Sequence, residues 1–260
     1  MSVPTLPAPR ITDAARTGRL AGRLAVVTGG ARGIGAEIAR TFAAHGARVA
    51  LLDVLADAAQ RQAEAIGGLA VAADLREPQD VQRAMAEAIA GLGGIDILVN
   101  NAGVLRFADI LDITVDDWDL TFDVNVRSML LTTQAAVPTM RARGGGRIVN
   151  MASMGGKTGA PGQAHYAASK AAVISFTRVC AMEFGPWNIN VNCICPGYVL
   201  TEMGAATRTP DKVAAWTARS PLGRLAETTD VANMALFLVT DESSYCTGQA
   251  MNVSGGMVMH

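Results

Sequence analysis

Leu24-Ala25-Val26-Val27-Thr28-Gly29-Gly30-Ala31-Arg32-Gly33-Ile34-Gly35 carries most of the architecture in twelve residues. Leu24 to Thr28 is a near-continuous apolar run, as expected of a strand buried on both faces of a sheet. The glycines after it make a turn. Helical periodicity then runs from about Gly33 to His45, and Gly46 stops it in a left-handed cap that costs glycine little. A strand passing through glycines into a helix brings backbone N–H groups and the positive helix end to one point, which suits a pyrophosphate. The spacing is G-x3-G-x-G rather than the general fingerprint G-x-G-x-x-G, so the turn alone is weak evidence. Asp53, 18 residues beyond Gly35 at the end of the next strand, strengthens it. Its carboxylate can accept hydrogen bonds from adenosine ribose hydroxyls and repel a 2′-phosphate, which points to NAD. Arg32 could pair with that phosphate and favours NADP, the weaker expectation.

Outward from this turn, short apolar runs alternate with helical patterns. Strands are expected at Arg48 to Leu52, Leu69 to Ala73, Ile95 to Val99, Arg147 to Met151, Ile189 to Ile194 and Ala250 to Val253. Helices are expected at Leu55 to Ile66, Pro78 to Leu92, Val115 to Met140, Ala164 to Phe184 and Asp230 to Val239. This alternation implies right-handed crossovers and a parallel sheet. The fold class is α/β: one Rossmann-type doubly wound parallel sheet of about seven strands, with helices on both faces. An arm of residues 1–20 precedes a single domain, residues 21–260, with no repeat or linker dividing it.

Composition bounds the rest. Of 260 residues, 50% are hydrophobic and 17% charged, which excludes disorder. A formal net charge of −1 without a basic stripe excludes a nucleic-acid footprint and an anionic membrane surface. No apolar run approaches the ~18 residues of a membrane span. Pro4, Pro7 and Pro9 break the apolar core a secretory signal needs. Cys180, Cys193, Cys195 and Cys246 lack metal-ligand spacing, so no metal site is expected; Cys193 and Cys195 share one face of a strand as free thiols. The expected compartment is the cytoplasm.

Tyr166-Ala167-Ala168-Ser169-Lys170 opens a helix, and a spacing of four puts phenol and ammonium on one face. A phenol near pKa 10 is a poor base at neutral pH; a neighbouring cation favours the phenolate. Ser153 follows a strand at the carboxyl edge of the sheet, where ligands bind in open α/β sheets. Asn100-Asn101-Ala102-Gly103 lies at the same edge, and Asn125 sits within an apolar helix where its amide needs a partner. His165 adjoins Tyr166 but not on its helix face, so it lines the entrance at most.

T-G-x3-G-I-G, N-N-A-G, the helical Asn, Ser, Y-x3-K and Pro196-Gly197, in this order from about Leu20 to Gly256, resemble the short-chain dehydrogenase/reductase family. The resemblance implies Tyr166 as general acid/base, Lys170 lowering its pKa and binding the nicotinamide ribose, Ser153 holding the substrate oxygen and Asn125 anchoring a relay water. It implies cofactor contacts at Gly29, Arg32, Gly33, Ile34, Gly35 and Asp53, and at Tyr166 and Lys170 beside the nicotinamide. Asp74 and Leu75 would flank the adenine; Asn101, Ala102 and Gly103 would line the adenosine side. Pro196, Gly197, Val199 and Thr201 would meet the nicotinamide carboxamide.

The substrate loop is expected at Leu200 to Pro221, with Arg208, Lys212 and Arg219 in it and Met203 facing the substrate. The C-terminal stretch and the Ser153 segment are similar to those of polyol dehydrogenases, sorbitol-6-phosphate dehydrogenases among them. Lys157 could then bond a polyol hydroxyl or phosphate; otherwise it is a solvated loop lysine. The expected substrate is a small polyol, sugar or vicinal diol, oxidised with NAD. The alternatives are a 3-oxoacyl-(acyl carrier protein) reductase using NADPH and a silent dinucleotide sensor, which Tyr166 and Lys170 argue against. An exposed apolar tail with Met251, Met257 and Met259 predicts oligomerisation, and the resemblance implies a homotetramer.

Overall fold

β1 (Leu24–Thr28) is buried at all five positions and pairs in parallel with a strand on either side. The computed structural model describes residues 18–203 and 209–260; nearly all of the expected arm, and Arg208, lie outside the described residues. The other strands are β2 (Arg48–Asp53), β3 (Leu69–Ala72), β4 (Ile97–Asn100), β5 (Gly146–Met151), β6 (Ile189–Pro196) and β7 (Ala250–Val253). They form one seven-stranded parallel sheet in the order β3-β2-β1-β4-β5-β6-β7. The order reverses between β1 and β4, and the crevice beyond their carboxyl ends is where such sheets bind ligands.

Helices cover both faces, and β1 shows why. Leu24 and Val26 point into one core, with Met85 of α3 (Pro78–Leu92), Met140 of α5 (Ser128–Ala142) and Ala181 of α7 (Ala164–Phe184). Ala25 and Val27 point into the other, with Phe42 of α1 (Gly33–Ala44) and Leu236 of α9 (Thr228–Val239). Side chains alternate across a strand, so a sheet with two apolar faces needs apolar residues at every position.

The expected strands and helices are present with ends shifted by a few residues, except in three places. The helix expected unbroken from Val115 to Met140 is split: α4 (Val115–Phe122) gives way to a π-helical turn at 123–127 before α5. A π turn accommodates one extra residue and re-aims a side chain; here that side chain is Asn125. The stretch read as substrate loop contains α8 (Pro210–Arg219), whose start is fixed by Thr209 accepting from the Lys212 N–H, with Pro210 in the first turn. The short α6 (Gly155–Thr158) follows β5; two glycines in four residues gave it no helical signature. α2 (Ala56–Ile66) completes the set of helices used below.

The C-terminal tail is also less exposed than expected. Val258 is buried, and its N–H donates to the Ser254 hydroxyl while its carbonyl accepts from Asn252. Met259 remains exposed.

Candidate active site

The turn after β1 is braced from β4. The Thr28 hydroxyl accepts from the backbone N–H groups of Asn101 and Ala102, both at 3.0 Å. The Asn101 amide donates to the carbonyls of Thr28 and Gly29, also at 3.0 Å. A β-carbon on Gly35 would stand 2.1 Å from the Gly29 carbonyl oxygen, so α1 can enter this close only on glycine. The N-terminus of α1 has no side-chain cap and no acidic residue in its first turn. α2, α3 and α7 likewise lack a side-chain cap, whereas α4 and α8 are capped by Thr114 and Thr209 and α9 has a reciprocal Glu227–Asp230 box. Four N–H groups at a helix start need acceptors. The start of α1, with Gly33 and Ile34 in its first turn and Arg32 exposed beside it, therefore fits a pyrophosphate.

Asp53 ends β2 against this turn. One carboxylate oxygen accepts from the Ala31 N–H and the other from the Leu55 N–H, each at 2.9 Å. Two oxygens with about four acceptor sites keep room for ribose hydroxyls. Asp74 and Leu75, the residues that the resemblance places beside an adenine, are both engaged within the protein. Arg76 clasps the Asp74 carboxylate and holds it below the usual carboxylate range, and the Leu75 side chain is buried in the core. At the other end, Gly197 lies so close to Ser254 that a β-carbon would meet its Cα at 2.9 Å. Val199 bridges Ala226, and that pairing uses the Tyr198 carbonyl and Leu200 N–H. The N–H and carbonyl of Val199 stay outside it, as a carboxamide contact needs. Pro196 ends β6, Thr201 follows the bridge, and Met203 is half-exposed where the described chain breaks.

The chemistry collects at the ends of β5 and the start of α7. The Ser153 hydroxyl accepts from the Gly155 N–H at 3.1 Å and lies with the Tyr166 ring against Gly155, where a β-carbon would stand 3.4 Å from the hydroxyl oxygen and 3.7 Å from Tyr166 Cε1. Lys170, one turn along α7, is buried; its ammonium donates to the Met151 carbonyl at 2.8 Å and lies 5.7 Å from the centre of the Tyr166 ring. Burial pushes the Tyr166 phenol up, and the Ser153 hydroxyl pulls it back in part. Burial pushes the Lys170 ammonium down to about 8. The sequence led us to expect a tyrosine lowered by its lysine. In the folded polypeptide desolvation outweighs the other influences on each group: Lys170 is buried and Tyr166 half-buried.

Asn125 is fully buried in the π turn. Its amide oxygen accepts from the Val104 N–H at 2.8 Å, and its nitrogen donates to the Val104 carbonyl and the Ser169 hydroxyl. The Asn125 side chain thus braces the loop after β4 against α7. Gly103 fits beneath it: a β-carbon there would lie 3.1 Å from the Asn125 oxygen and 3.4 Å from the Lys170 ammonium.

Two other expectations change. His165 does not line the entrance; it is wholly buried, with neither ring nitrogen partnered among the described residues. It shares the inward face of α7 with Ser169 and Val173, both fully buried. Lys157 is not a solvated loop lysine: its ammonium donates to the Ala250 carbonyl at 3.0 Å. Cys193 and Cys195 are buried together on one face of β6. Thr28 and Gly155 went unread as site residues. A hydroxyl at the last position of a strand before a glycine turn was the available signal for Thr28.

A family model described as "Enoyl-(Acyl carrier protein) reductase" matches residues 29–258. Oxidoreductase UcpA of Salmonella typhimurium is 42% identical over 255 residues, covering 93% of this chain and 97% of that protein. The 3-oxoacyl-[acyl-carrier-protein] reductase FabG of Thermotoga maritima is 37% identical over 247 residues, covering 93% of this chain and all of that one. A solved structure from Sinorhizobium meliloti 1021, provisionally assigned as a short-chain alcohol dehydrogenase, superposes with a TM-score of 0.88 at 35% identity, over 92% of this chain and 97% of its own.

Proposed function

Because this chain belongs to the short-chain dehydrogenase/reductase family of oxidoreductases, we propose that it moves a hydride between a secondary alcohol and NAD, with a polyol, sugar or vicinal diol as the alcohol. The observation that carries this reading is the meeting of Ser153 and Tyr166 against Gly155, with the Lys170 ammonium buried and bonded to the Met151 carbonyl. Ser153 holds the alcohol oxygen, and Tyr166 takes its proton as the carbonyl forms. Lys170 holds positive charge below the phenol. A bound nicotinamide supplies the hydride acceptor and a positive ring charge, and that charge favours a phenolate which burial alone disfavours. The helix start at Gly33, the Asp53 carboxylate and the Val199 N–H and carbonyl, which the pairing with Ala226 does not use, would hold its phosphates, ribose and carboxamide.

Asp53 supports NAD over NADP. It is nearly buried and fixed by two N–H groups, so a 2′-phosphate would meet a carboxylate that cannot swing away. The acyl carrier protein reading is favoured by the Thermotoga relative, and Asp53 counts against its expected NADPH. A homotetramer is supported by apolar side chains exposed on α5 and α7: Leu130, Val179 and Met182.

A panel of polyols, secondary alcohols and β-ketoesters, run with both nicotinamides and followed by absorbance of the reduced cofactor, tests the reading. Alcohol-dependent reduction of NAD, at least tenfold faster than of NADP, is expected. Turnover confined to β-ketoesters with NADPH would contradict it.

A further inference from the structure

The chain that leaves β6 returns to the start of α1. Its backbone is anchored where the Leu200 N–H donates to the Ala226 carbonyl at 2.9 Å, and Glu202 follows two residues later. A β-carbon built on Gly33 would lie 3.5 Å from Glu202 Oε2 and 3.7 Å from Thr201 Cγ2. With one carbon–carbon bond added, the carboxylate stands within about 5 Å of the Cα of Gly33, the first residue of α1. This is the turn whose leading N–H groups lack intrahelical acceptors and which holds no acidic residue of its own. Glu202 is exposed, and its carboxylate makes no hydrogen bond or ion pair among the described residues, Arg32 included. An acid at a helix start ordinarily caps it. Glu202 stands near the helix start without capping it, and a second anion drawn to those N–H groups meets its charge.

We propose that Glu202 opposes the dinucleotide: its carboxylate weakens the hold of the α1 turn on a pyrophosphate, so that the cofactor leaves sooner than the turn alone would release it. The proposal rests on reading the start of α1 as the pyrophosphate seat. Two anions at one partly exposed helix end repel each other, and the repulsion is strongest at low salt. The exposed Glu202 side chain can swing aside for incoming phosphates, but it then gives up the positive helix end. This penalty falls on any ligand that brings negative charge to the seat and spares a neutral one. Asp53 is read as choosing between NAD and NADP at the ribose; Glu202 weakens both alike.

The test measures dissociation constants for NADH by cofactor fluorescence, with inorganic pyrophosphate and adenosine as competing probes, so that no turnover is needed. Glu202→Gln keeps the size of the side chain and removes its charge. It should tighten binding of NADH and of pyrophosphate by about three- to tenfold at low salt, and change adenosine binding less than twofold. At 1 M salt, where the Debye length is about 3 Å, the gain should fall below twofold. Glu37→Gln removes a charge one turn further along α1, where it is paired with Arg40, and should leave all three constants within twofold. NADH binding that is unchanged or weaker in Glu202→Gln, an equal gain in Glu37→Gln, or a gain that persists at 1 M salt would each overturn the proposal. Pyrophosphate that displaces NADH from neither the wild type nor Glu202→Gln would instead show that the seat is not at α1, and the proposal would fall with that reading.

Discussion

Lys170 bears the heaviest electrostatic load of any described side chain at the site. Its ammonium is buried and bonded to one carbonyl, with burial lowering it from 10.5 to about 8. Between those two values the unfolded chain binds a proton that the folded chain releases, so stability rises with pH across that window. Below pH 8 the buried charge costs about 3 kcal/mol. Lys170→Met lacks this titration. The melting temperature of the variant minus that of the wild type should therefore shrink steadily from pH 7.5 to pH 10. The raised Tyr166 phenol acts in both proteins and cancels in the difference. A difference that stays flat with pH would mean that Lys170 is not held in a dry pocket. Residue-scale chemistry was largely legible: Tyr166, Lys170, Ser153 and Asp53 announced themselves by type and spacing. The environment was not, since burial of Lys170 and His165 depends on packing from elements distant in sequence.

At the scale of elements, α7 has two duties. Its inner face carries Ser169, Lys170 and Val173, while Val179 (44% exposed) and Met182 (71% exposed) lie on its outside. Such a face needs a partner to leave water. Light scattering should find the wild type at four times the chain mass, and Val179→Glu with Met182→Glu should reduce it to a smaller species. A monomeric wild type would contradict the assembly. The strands were readable because both sheet faces are covered, which leaves near-continuous apolar runs. The break between α4 and α5 was not, because a π turn changes the hydrogen-bond ladder while leaving the apolar pattern almost intact. α8 could have been found from Thr209 and Pro210, a cap followed by proline at the first turn. α6 could not, because its formation rests on the Ser153 hydroxyl and neighbouring backbone rather than on helix-forming residues.

On the scale of the whole molecule, the sheet order brings the glycine turn, the Asn101 brace, Ser153 and the Val199 backbone to one edge. Two braces hold that edge: Thr28 with Asn101, and Asn125 with Val104 and Ser169. Neither brace includes the Tyr166 phenol. On the proposed function, binding of the dinucleotide and transfer of the proton are therefore separable, which is the central claim. Tyr166→Phe removes one oxygen and leaves the ring in place. With the best alcohol from the panel and saturating NAD, its turnover should fall by about 10²–10⁴-fold, the usual contribution of a positioned acid/base. Its dissociation constant for NADH should stay within twofold of the wild type. Turnover within tenfold of the wild type, with cofactor binding intact, would contradict the account.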